Sequence, residues 1–454
     1  MAAMAPTKND DQPLHILFFP FLLPGHLIPM ADMATVFAAR GVRCTVLTTP
    51  VQGFTIRSVV DRANDSSATG TPMSISVVPF PDVGLPPAAQ SGRDLATSGD
   101  YHDRFLQTAE LLREPFRRFL SDHHADIDAV VSDSLFHWSA HAAAEHGLPR
   151  IAFLATSMFA RACTDTLLRC NVFESCSDDP RAVVSLPGLP HRVQLRRSQM
   201  MDPRKRPHEC AMFQLVHAAD RSSYGELFNS FRELEPGYAE HYRATQLRRR
   251  AWLVGPVALA SGSVEDMREL ARGLDLSGKN FVWVIAKGST AASSDPSTPE
   301  ANRGYIIQGW APQVLILNHP AVGGFVTHCG WNSTLEAVSA GVPMVTWPRY
   351  ADQFYNEKLV VEVLGVGVGV GAEDYASCLE THRVIAGEAI AESIRRVMGE
   401  EGDGMAMRKK AKELGLMARG AVEKGGSSYD DVEQLMEELI ARRSSVGCTA
   451  DGQR

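Results

Sequence analysis

The sequence lacks the features of three common protein classes. No apolar run reaches the roughly 18 residues that a membrane-spanning helix needs. The eight cysteines are scattered, without a CxxC pair or zinc-like spacing, so neither a disulfide framework nor a zinc site is predicted. The opening residues MAAMAPTKNDDQP lack the basic-then-apolar pattern of a secretory signal, and we therefore expect a cytoplasmic protein.

The chain also lacks an excess of positive charge. Lys and Arg number 45 against 53 Asp and Glu, which gives a net charge of −8. This balance argues against a nucleic acid or an anionic membrane surface as the main partner. A length of 454 residues favours two domains, since one domain takes roughly 100–200 residues.

Apolar strand patterns alternate with helical patterns in both halves of the chain. LHILFFPF (14–21) predicts a buried strand, MADMATVFAAR (30–40) a helix and VRCTVLTT (42–49) a second strand. The same alternation returns around GFVTH (324–328) and VPMVTW (342–347). It predicts an α/β protein with two doubly wound, Rossmann-like domains that face each other across a cleft.

Composition divides the chain into three parts. The shift near TQLRRRAWLVGP (245–256) leads us to place a first domain at 1–248 and a second at 249–443. Residues 444–454, SSVGCTADGQR, are predicted to be a disordered tail. GVGVGVG (365–371) predicts a short strand, because its spacing is not that of a dinucleotide-binding loop.

A lone histidine stands where the first strand gives way to a helix. In LFFPFLLPGHLIPM (17–30), His26 follows Pro24-Gly25 and precedes Pro29, so we expect it in the turn before the helix. Asp133 ends the short strand pattern DAVVSD (128–133). By spacing alone, His26 is either a functional base or a satisfied loop histidine, and Asp133 either its partner or a turn residue.

THCGWNSTLEA (327–337) joins the end of a strand to the start of a helix. The free N–H groups and positive dipole end of such a helix suit a phosphate, with His328, Asn332 and Ser333 as added donors. A capping box at Ser333 and Glu336 explains the same residues equally well. Asp126-Ile127-Asp128 spells DxD, a pattern that binds metal in a different fold, and here we interpret it as solvated surface.

The stretch WAPQVLILNHPAVGGFVTHCGWNSTLEAVSAGVPMVTWPRYADQ, from Trp310 to Gln353, resembles the 44-residue signature box of plant secondary-product glycosyltransferases. These are family 1, UDP-sugar-dependent enzymes with the GT-B fold. The resemblance extends from HILFFPF to DDVEQLMEEL. It implies an N-terminal acceptor-binding domain and a C-terminal UDP-sugar-binding domain, with the last helix packing back on the first domain.

The resemblance also assigns ten residues to binding of the UDP-sugar. Trp310 would stack on uracil, and Ala311 and Gln313 would contact the base and the ribose. The diphosphate would be held by His328, Asn332, Ser333 and the backbone at Trp331. Glu336 would bind the ribose hydroxyls, and Asp352 and Gln353 would bind the sugar hydroxyls. Gln353 resembles the residue of members that prefer glucose.

The segment GHLIP (25–29) resembles the family's G-H-x-x-P, whose histidine is the general base, and Asp133 matches the aspartate that orients it. The resemblance implies inverting transfer of glucose from UDP-glucose to a hydroxyl of a small lipophilic plant metabolite: a phenolic, flavonoid, coumarin, terpenoid or hormone. It implies no metal and no cofactor besides the donor. We expect a monomer.

One segment departs from the family pattern. After VGPVALAS (254–261) the family has a linker and the central strand of the C-terminal sheet, whereas this chain passes directly into MRELARGLDLSGKNFVWVI (267–285). A few tens of residues are therefore expected to be missing. Either PVALASGS (256–263) replaces the central strand, or the sheet lacks it and the chain is an impaired relative that binds UDP-sugar or acceptor without turnover. A sugar-nucleotide epimerase or dehydrogenase is disfavoured, because no dinucleotide fingerprint is present.

Overall fold

The structure is a computed structural model that describes residues 12–65, 72–86, 89–92, 99–174, 176–245, 250–256, 266–285, 303–309, 311–375, 383–399 and 401–451. These residues form two α/β halves built on parallel strands. Within them, no helix is long and apolar enough to cross a membrane.

The first half is built around one parallel sheet. The strands of this half are β1 (His15–Phe19), β2 (Arg43–Thr48), β3 (Met73–Val77), β4 (Ala129–Asp133), β5 (Arg150–Leu154), β6 (Val183–Leu186), β7 (Val193–Arg196), β8 (Gly225–Phe228) and β9 (Ala251–Leu253). Among the described residues the sheet has seven strands in the order β3-β2-β1-β4-β5-β8-β9, while β6 and β7 form a separate hairpin. The order of winding reverses between β1 and β4, so a ligand site is expected beyond the carboxyl ends of these two strands.

Helices cover this sheet because their apolar residues recur with helical spacing. They are α1 (Pro24–Ala38), α2 (Pro50–Asp65), α3 (Gly99–Leu111), α4 (Arg113–His123), α5 (Ser139–Ala144), α6 (Met158–Arg169), α7 (Pro207–Ser222) and α8 (Tyr238–Thr245). In α1, Met30, Met33 and Phe37 are fully buried against the core that contains β1 and β2.

The second half contains two groups of strands. They are β10 (Phe281–Ile285) with β11 (Gly304–Gln308), and β12 (Phe325–Thr327) with β13 (Met344–Thr346) and β14 (Gly367–Gly369). All of these pairs are parallel, and β14 confirms the short strand predicted in the Gly-Val repeat. Among the described residues no strand joins β10 to β12. Apart from Pro256, the segment predicted to replace the central strand lies outside the described residues, so both alternatives stay predictions.

The helices of the second half are α9 (Asp266–Ser277), α10 (Gln313–Leu317), α11 (Trp331–Ala340), α12 (Gln353–Lys358, continued by one π-helical turn Leu359–Val363), α13 (Gly387–Val397), α14 (Gly402–Val422) and α15 (Ser427–Asp451).

Two predicted boundaries need correction. Strand β9 was placed in the second domain, but it pairs with β8 and belongs to the first sheet. Residues 444–451, predicted to be a disordered tail, continue α15, because no proline interrupts the helix and the single glycine at 447 is tolerated.

Helix α15 packs against the first half of the chain. Val432, Leu435 and Leu439 lie in the same buried cluster as Leu14 and Ile16, close to the start of the sequence. The carboxylate of Asp431 accepts a hydrogen bond of 2.8 Å from the backbone N–H of Leu253 in β9. The last helix therefore supplies part of the core of the first sheet.

We predict that Leu435→Ala lowers the free energy of unfolding by about 2–5 kcal/mol, because it opens a cavity at a side chain with no exposed surface. The matched control is Ile440→Ala on the same helix, where the side chain is 42% exposed and the loss should stay under about 0.5 kcal/mol. Urea denaturation measures both. Equal losses would show that α15 does not hold the core of the first half.

Candidate active site

His26 and Asp133 meet at the point where the winding of the first sheet reverses. His26 lies in the first turn of α1, which follows β1, and Asp133 is the last residue of β4. His26 Nδ1 lies 2.8 Å from Asp133 Oδ2, and the N–H of Leu135 donates to Asp133 Oδ1 at 3.0 Å. Because the carboxylate can only accept, Nδ1 carries the proton and Nε2 keeps a lone pair.

His26 was expected in a turn that precedes the helix, and this is wrong. The helix begins at Pro24, so His26 is its third residue and Pro29 lies inside the helix. Proline at the first position costs little, since that N–H has no partner within a helix. The side chain of His26 is 25% exposed, while that of Asp133 is 1% exposed. The imidazole is therefore open on one side and held by a buried carboxylate on the other.

Three effects set the pKa of His26. Burial lowers it, but the charge and hydrogen bond of Asp133 and the charge of Asp352 together raise it above the ordinary value of 6.5. The ring of Phe21 contacts the imidazole edge-on at 5.5 Å between centroids. Phe136 and Trp138, which follow Asp133 in the sequence, are buried in the aromatic core around Phe19.

Asn332 of the second half contacts the helix that carries His26. Its Nδ2 donates to the carbonyl oxygen of Gly25 at 2.8 Å. In a regular helix this oxygen would accept the N–H of residue 29, but Pro29 has none. The proline thus leaves a carbonyl acceptor that the amide of Asn332 satisfies.

The signature segment forms a sharp turn between β12 and α11. His328, Cys329 and Gly330 make the turn, with Cys329 at a φ of 63°, a value uncommon for a residue with a Cβ. Gly330 is the N-cap of α11 and no side chain caps the helix. The alternative of a capping box at Ser333 and Glu336 is therefore wrong, because the helix begins two residues before Ser333.

The polar side chains in the first two turns of α11 are buried, and none of them caps the helix. Ser333, Asn332 and Glu336 are all less than 10% exposed. Asn332 Oδ1 and Glu336 Oε1 have no hydrogen-bond partner among the described residues, and Glu336 Oε2 accepts from Gln313 Nε2 at 2.5 Å. Burial raises the pKa of Glu336 to about 7. Burial lowers the pKa of His328 to about 4, so its imidazole is neutral and has one N–H to donate at physiological pH.

Asp352 and Gln353 lie at the start of α12. Asp352 accepts a hydrogen bond of 2.7 Å from Thr156, which follows β5 in the first half, and burial raises its pKa. The side-chain oxygen of Gln353 accepts the backbone N–H groups of Arg349 at 2.8 Å and Tyr350 at 3.2 Å. These bonds fix the two side chains that the resemblance assigns to the sugar.

The remaining predicted residues differ in how the structure places them. Trp331 is buried, and its indole N–H donates to the carbonyl oxygen of Asn229 at 2.7 Å. Ala311 is buried just before α10, and Gln313 begins that helix. Trp310 lies outside the described residues, so its stacking role stays a prediction.

Sequence reasoning missed Thr156 and Asn356 at this site. Thr156 contacts Asp352, and Asn356 donates to the carbonyl oxygen of Cys329 at 2.9 Å while it pairs with Ser157 at 3.0 Å. A signal for Thr156 was present, since it follows β5 at the same sheet edge as Asp133. Nothing in the sequence pattern indicates the contacts of Asn356, because one joins α12 to the turn before α11 and the other crosses to the first half.

The described residues contain no group of three or more His, Cys, Asp or Glu side chains that could hold a metal ion. The interpretation of the DxD pattern as solvated surface holds for Asp126 but is wrong for Asp128. The carboxylate of Asp128 accepts the N–H of His15 at 2.8 Å and lies 3.6 Å from Arg443, with 6% of its surface exposed. Its side chain is covered because it binds the backbone at the start of β1.

Comparisons with known proteins identify the family and the fold. Residues 256–391 match the family model for UDP-glucuronosyl and UDP-glucosyl transferases. The chain is 38% identical to the scopoletin glucosyltransferase of Nicotiana tabacum, over 96% of this chain and 99% of the relative. It is 32% identical to the crystal structure of Glycyrrhiza uralensis UGT73P12 with glycyrrhetinic acid 3-O-monoglucuronide, with a TM-score of 0.88 over 97% of this chain and 99% of that one.

A second solved structure, Medicago truncatula UGT71G1 with UDP-glucose, superposes with a TM-score of 0.76 at 25% identity, over 94% of this chain and 98% of that one. Fold and site together define a UDP-glycosyltransferase with the GT-B fold. The chain belongs to the plant family 1 UDP-glycosyltransferases, as the signature box predicted.

We predict that kcat/KM rises with pH through a midpoint above 6.5, because His26, the general base that the resemblance implies, must be neutral to accept a proton and its pKa is raised. Asp133→Asn removes the charge that raises this pKa, so the midpoint should move to lower pH while the rate falls on the order of 100-fold or more. Asp126→Asn, an exposed carboxylate, is the control and should change neither. A midpoint that Asp133→Asn leaves in place would contradict the assignment.

We also predict that Gly330→Ala weakens UDP binding at least about 10-fold, measured by titration calorimetry, since a Cβ there would lie 2.4 Å from His328 Nε2 and displace the imidazole. Gly420→Ala on α14 is the control, because its Cβ would meet no atom within 4 Å. Unchanged affinity in Gly330→Ala would remove His328 from the donor site.

Proposed function

We propose that the protein transfers glucose from UDP-glucose to a hydroxyl of a small lipophilic plant metabolite, with inversion at the anomeric carbon. The observation that carries this proposal is the 2.8 Å hydrogen bond between His26 and Asp133. It leaves Nε2 of a partly exposed imidazole as a base at a ligand-binding sheet edge. Asp352, the proposed sugar ligand, is near enough to raise the pKa of the same imidazole.

The proposed step is a direct displacement. The acceptor hydroxyl gives its proton to His26 Nε2 while its oxygen forms a bond to the anomeric carbon of glucose. The bond from that carbon to the diphosphate oxygen breaks, and UDP leaves with the electron pair. Attack opposite the leaving group converts an α-linked donor into a β-glycoside. Asp133 stabilises the imidazolium, as the aspartate does in a Ser-His-Asp triad.

The donor site supplies the remaining chemistry. The uncapped start of α11 and the neutral imidazole of His328 offer N–H groups to the diphosphate, and they stabilise the charge that develops on UDP. Asn332 and Ser333 add polar groups, and Glu336 has an oxygen, without a partner in the described part of the chain, that can accept from a ribose hydroxyl. We propose that no metal or further cofactor takes part, and that the protein acts as a cytoplasmic monomer.

The acceptor class remains the broad one that the resemblance implies. The tobacco relative is named for scopoletin, and the Glycyrrhiza structure holds a glycyrrhetinic acid monoglucuronide. We therefore propose a phenolic or coumarin hydroxyl first and a terpenoid hydroxyl second, with flavonoids and hormones also in the test panel.

To test this, the purified chain is incubated with UDP-glucose and the acceptor panel, and mass spectrometry detects the added hexose. We expect product with the wild type and a loss of at least about 100-fold with His26→Ala. Proton NMR of the product should show a β-linkage, and EDTA should leave the rate unchanged. Product formation by His26→Ala at the wild-type rate would refute the mechanism.

A second candidate function is that of an impaired relative that binds UDP-sugar without turnover. It is favoured by the described strands of the second half, which form two separate sheets, β10-β11 and β12-β13-β14, with no described strand that pairs with both. The alignment with the tobacco enzyme also spans 489 positions, more than the 454 residues of this chain, which supports a missing segment. Calorimetry with UDP separates the two: binding without product supports the impaired relative.

A further inference from the structure

A cluster of four buried charged side chains lies beside the strand that carries Asp133. The cluster contains Arg150 of β5, Arg161 of α6, Asp220 of α7 and Glu226 of β8. All four side chains are 7% exposed or less. Two cations face two anions, so the charges of these four side chains sum to zero. None of the four belongs to the proposed catalytic pair of His26 and Asp133.

Arg150 connects this cluster to the catalytic strand. Its Nε donates to the hydroxyl of Ser132 at 2.8 Å, and its Nη2 donates to the backbone carbonyl of Asp133 at 3.2 Å. Its Nη1 donates to Asp220 at 2.9 Å and to Ser223 at 2.9 Å. One guanidinium thus holds the last two residues of β4 and joins them to α7.

Stability alone is a weak reason for this arrangement. Taking a cation out of water is costly, and well-packed apolar residues often replace a buried ion pair without loss of stability. A planar guanidinium with five N–H donors does what an apolar side chain cannot, because it fixes several acceptors in one geometry. The acceptors fixed here are the backbone of Asp133 and the side chain that precedes it.

We propose that Arg150 is a positioning residue for the reaction, and that it holds the end of β4 so that the Asp133 carboxylate stays within hydrogen-bond distance of His26. The inference rests on the proposed function, since it gives Arg150 a role in that catalytic step. Asp220 anchors Arg150 from α7. Arg161 binds the other oxygen of Asp220 at 3.1 Å, and no hydrogen bond joins it to β4 among the described residues.

The consequence for His26 follows from the groups that face it. Asp133 and Asp352 are the charged groups that act on its imidazole, and Phe21 packs against its edge. If the end of β4 moves, only the contribution of Asp133 weakens. The pKa of His26 then falls, and the imidazolium that forms in the reaction loses its closest counter-charge.

The test compares Arg150→Met and Arg150→Lys with the matched control Arg161→Met, which removes a buried cation from the same cluster without touching β4. We expect kcat to fall at least about 10-fold in Arg150→Met, because a small displacement of a catalytic group costs that much. Arg150→Lys keeps the charge but cannot hold all the acceptors, so its kcat should be intermediate. KM for UDP-glucose should change less than twofold in every variant, and Arg161→Met should keep kcat within about twofold.

A double-mutant cycle separates positioning from general damage. In a His26→Ala background, Arg150→Met should lower the residual rate by less than about twofold, because the partner through which it acts is gone. Full additivity, or an equal loss of kcat in Arg161→Met, would overturn the proposal. If Arg150→Met is insoluble, kcat of Arg150→Lys tests the proposal instead. A kcat of Arg150→Lys equal to that of the wild type would overturn the proposal.

A second readout needs no turnover, so it distinguishes failure of this proposal from failure of the proposed function. The pKa of His26 is followed by NMR of histidine-labelled protein, with the resonance assigned by its loss in His26→Ala. We expect a lower pKa in Arg150→Lys than in the wild type, and the wild-type value in Arg161→Met. An unchanged pKa in a folded Arg150→Lys would overturn the proposal even in a chain without activity.

Discussion

One hydrogen bond between the two halves, from the side-chain amide of Asn332 to the carbonyl oxygen of Gly25, positions the site. It forms because proline at position 29 has no backbone N–H to occupy that oxygen. The bond lies one residue from His26 and in the first turn of α11. It therefore links the helix that carries His26, the proposed base, to α11, the proposed diphosphate-binding helix, through a single amide.

Further hydrogen bonds join the two halves close to the site. Thr156 holds Asp352, Ser157 holds Asn356, and the indole of Trp331 donates to the carbonyl of Asn229. Each pairs a loop from the carboxyl edge of the first sheet with a residue from the carboxyl edge of the second group of strands. Both edges are where parallel sheets present side chains to ligands. The contacts that join the halves and the residues that serve the reaction are consequently neighbours.

The sequence predicted the α/β alternation because buried strands and amphipathic helices have different apolar periods. It also predicted that Asp133 ends a strand, and the resemblance predicted its pairing with His26, which the structure places 2.8 Å away. It misplaced the start of α1, because Pro24 and Pro29 both favour a helix start and only the packed structure decides between them. The guanidinium contacts of Arg150 were not predictable, since they join three elements that are 17 to 70 residues apart.

Helix α15 has a consequence for the order in which the chain is made. The first half leaves the ribosome before the second, and N-terminal domains generally fold first during synthesis. Here the core of that half also contains Val432, Leu435 and Leu439, which are synthesised long after the last strand of the first sheet. An apolar groove on the first sheet therefore stays uncovered until α15 has been translated. A nascent chain stalled before α15 would be a substrate for chaperones even though its whole first sheet has emerged.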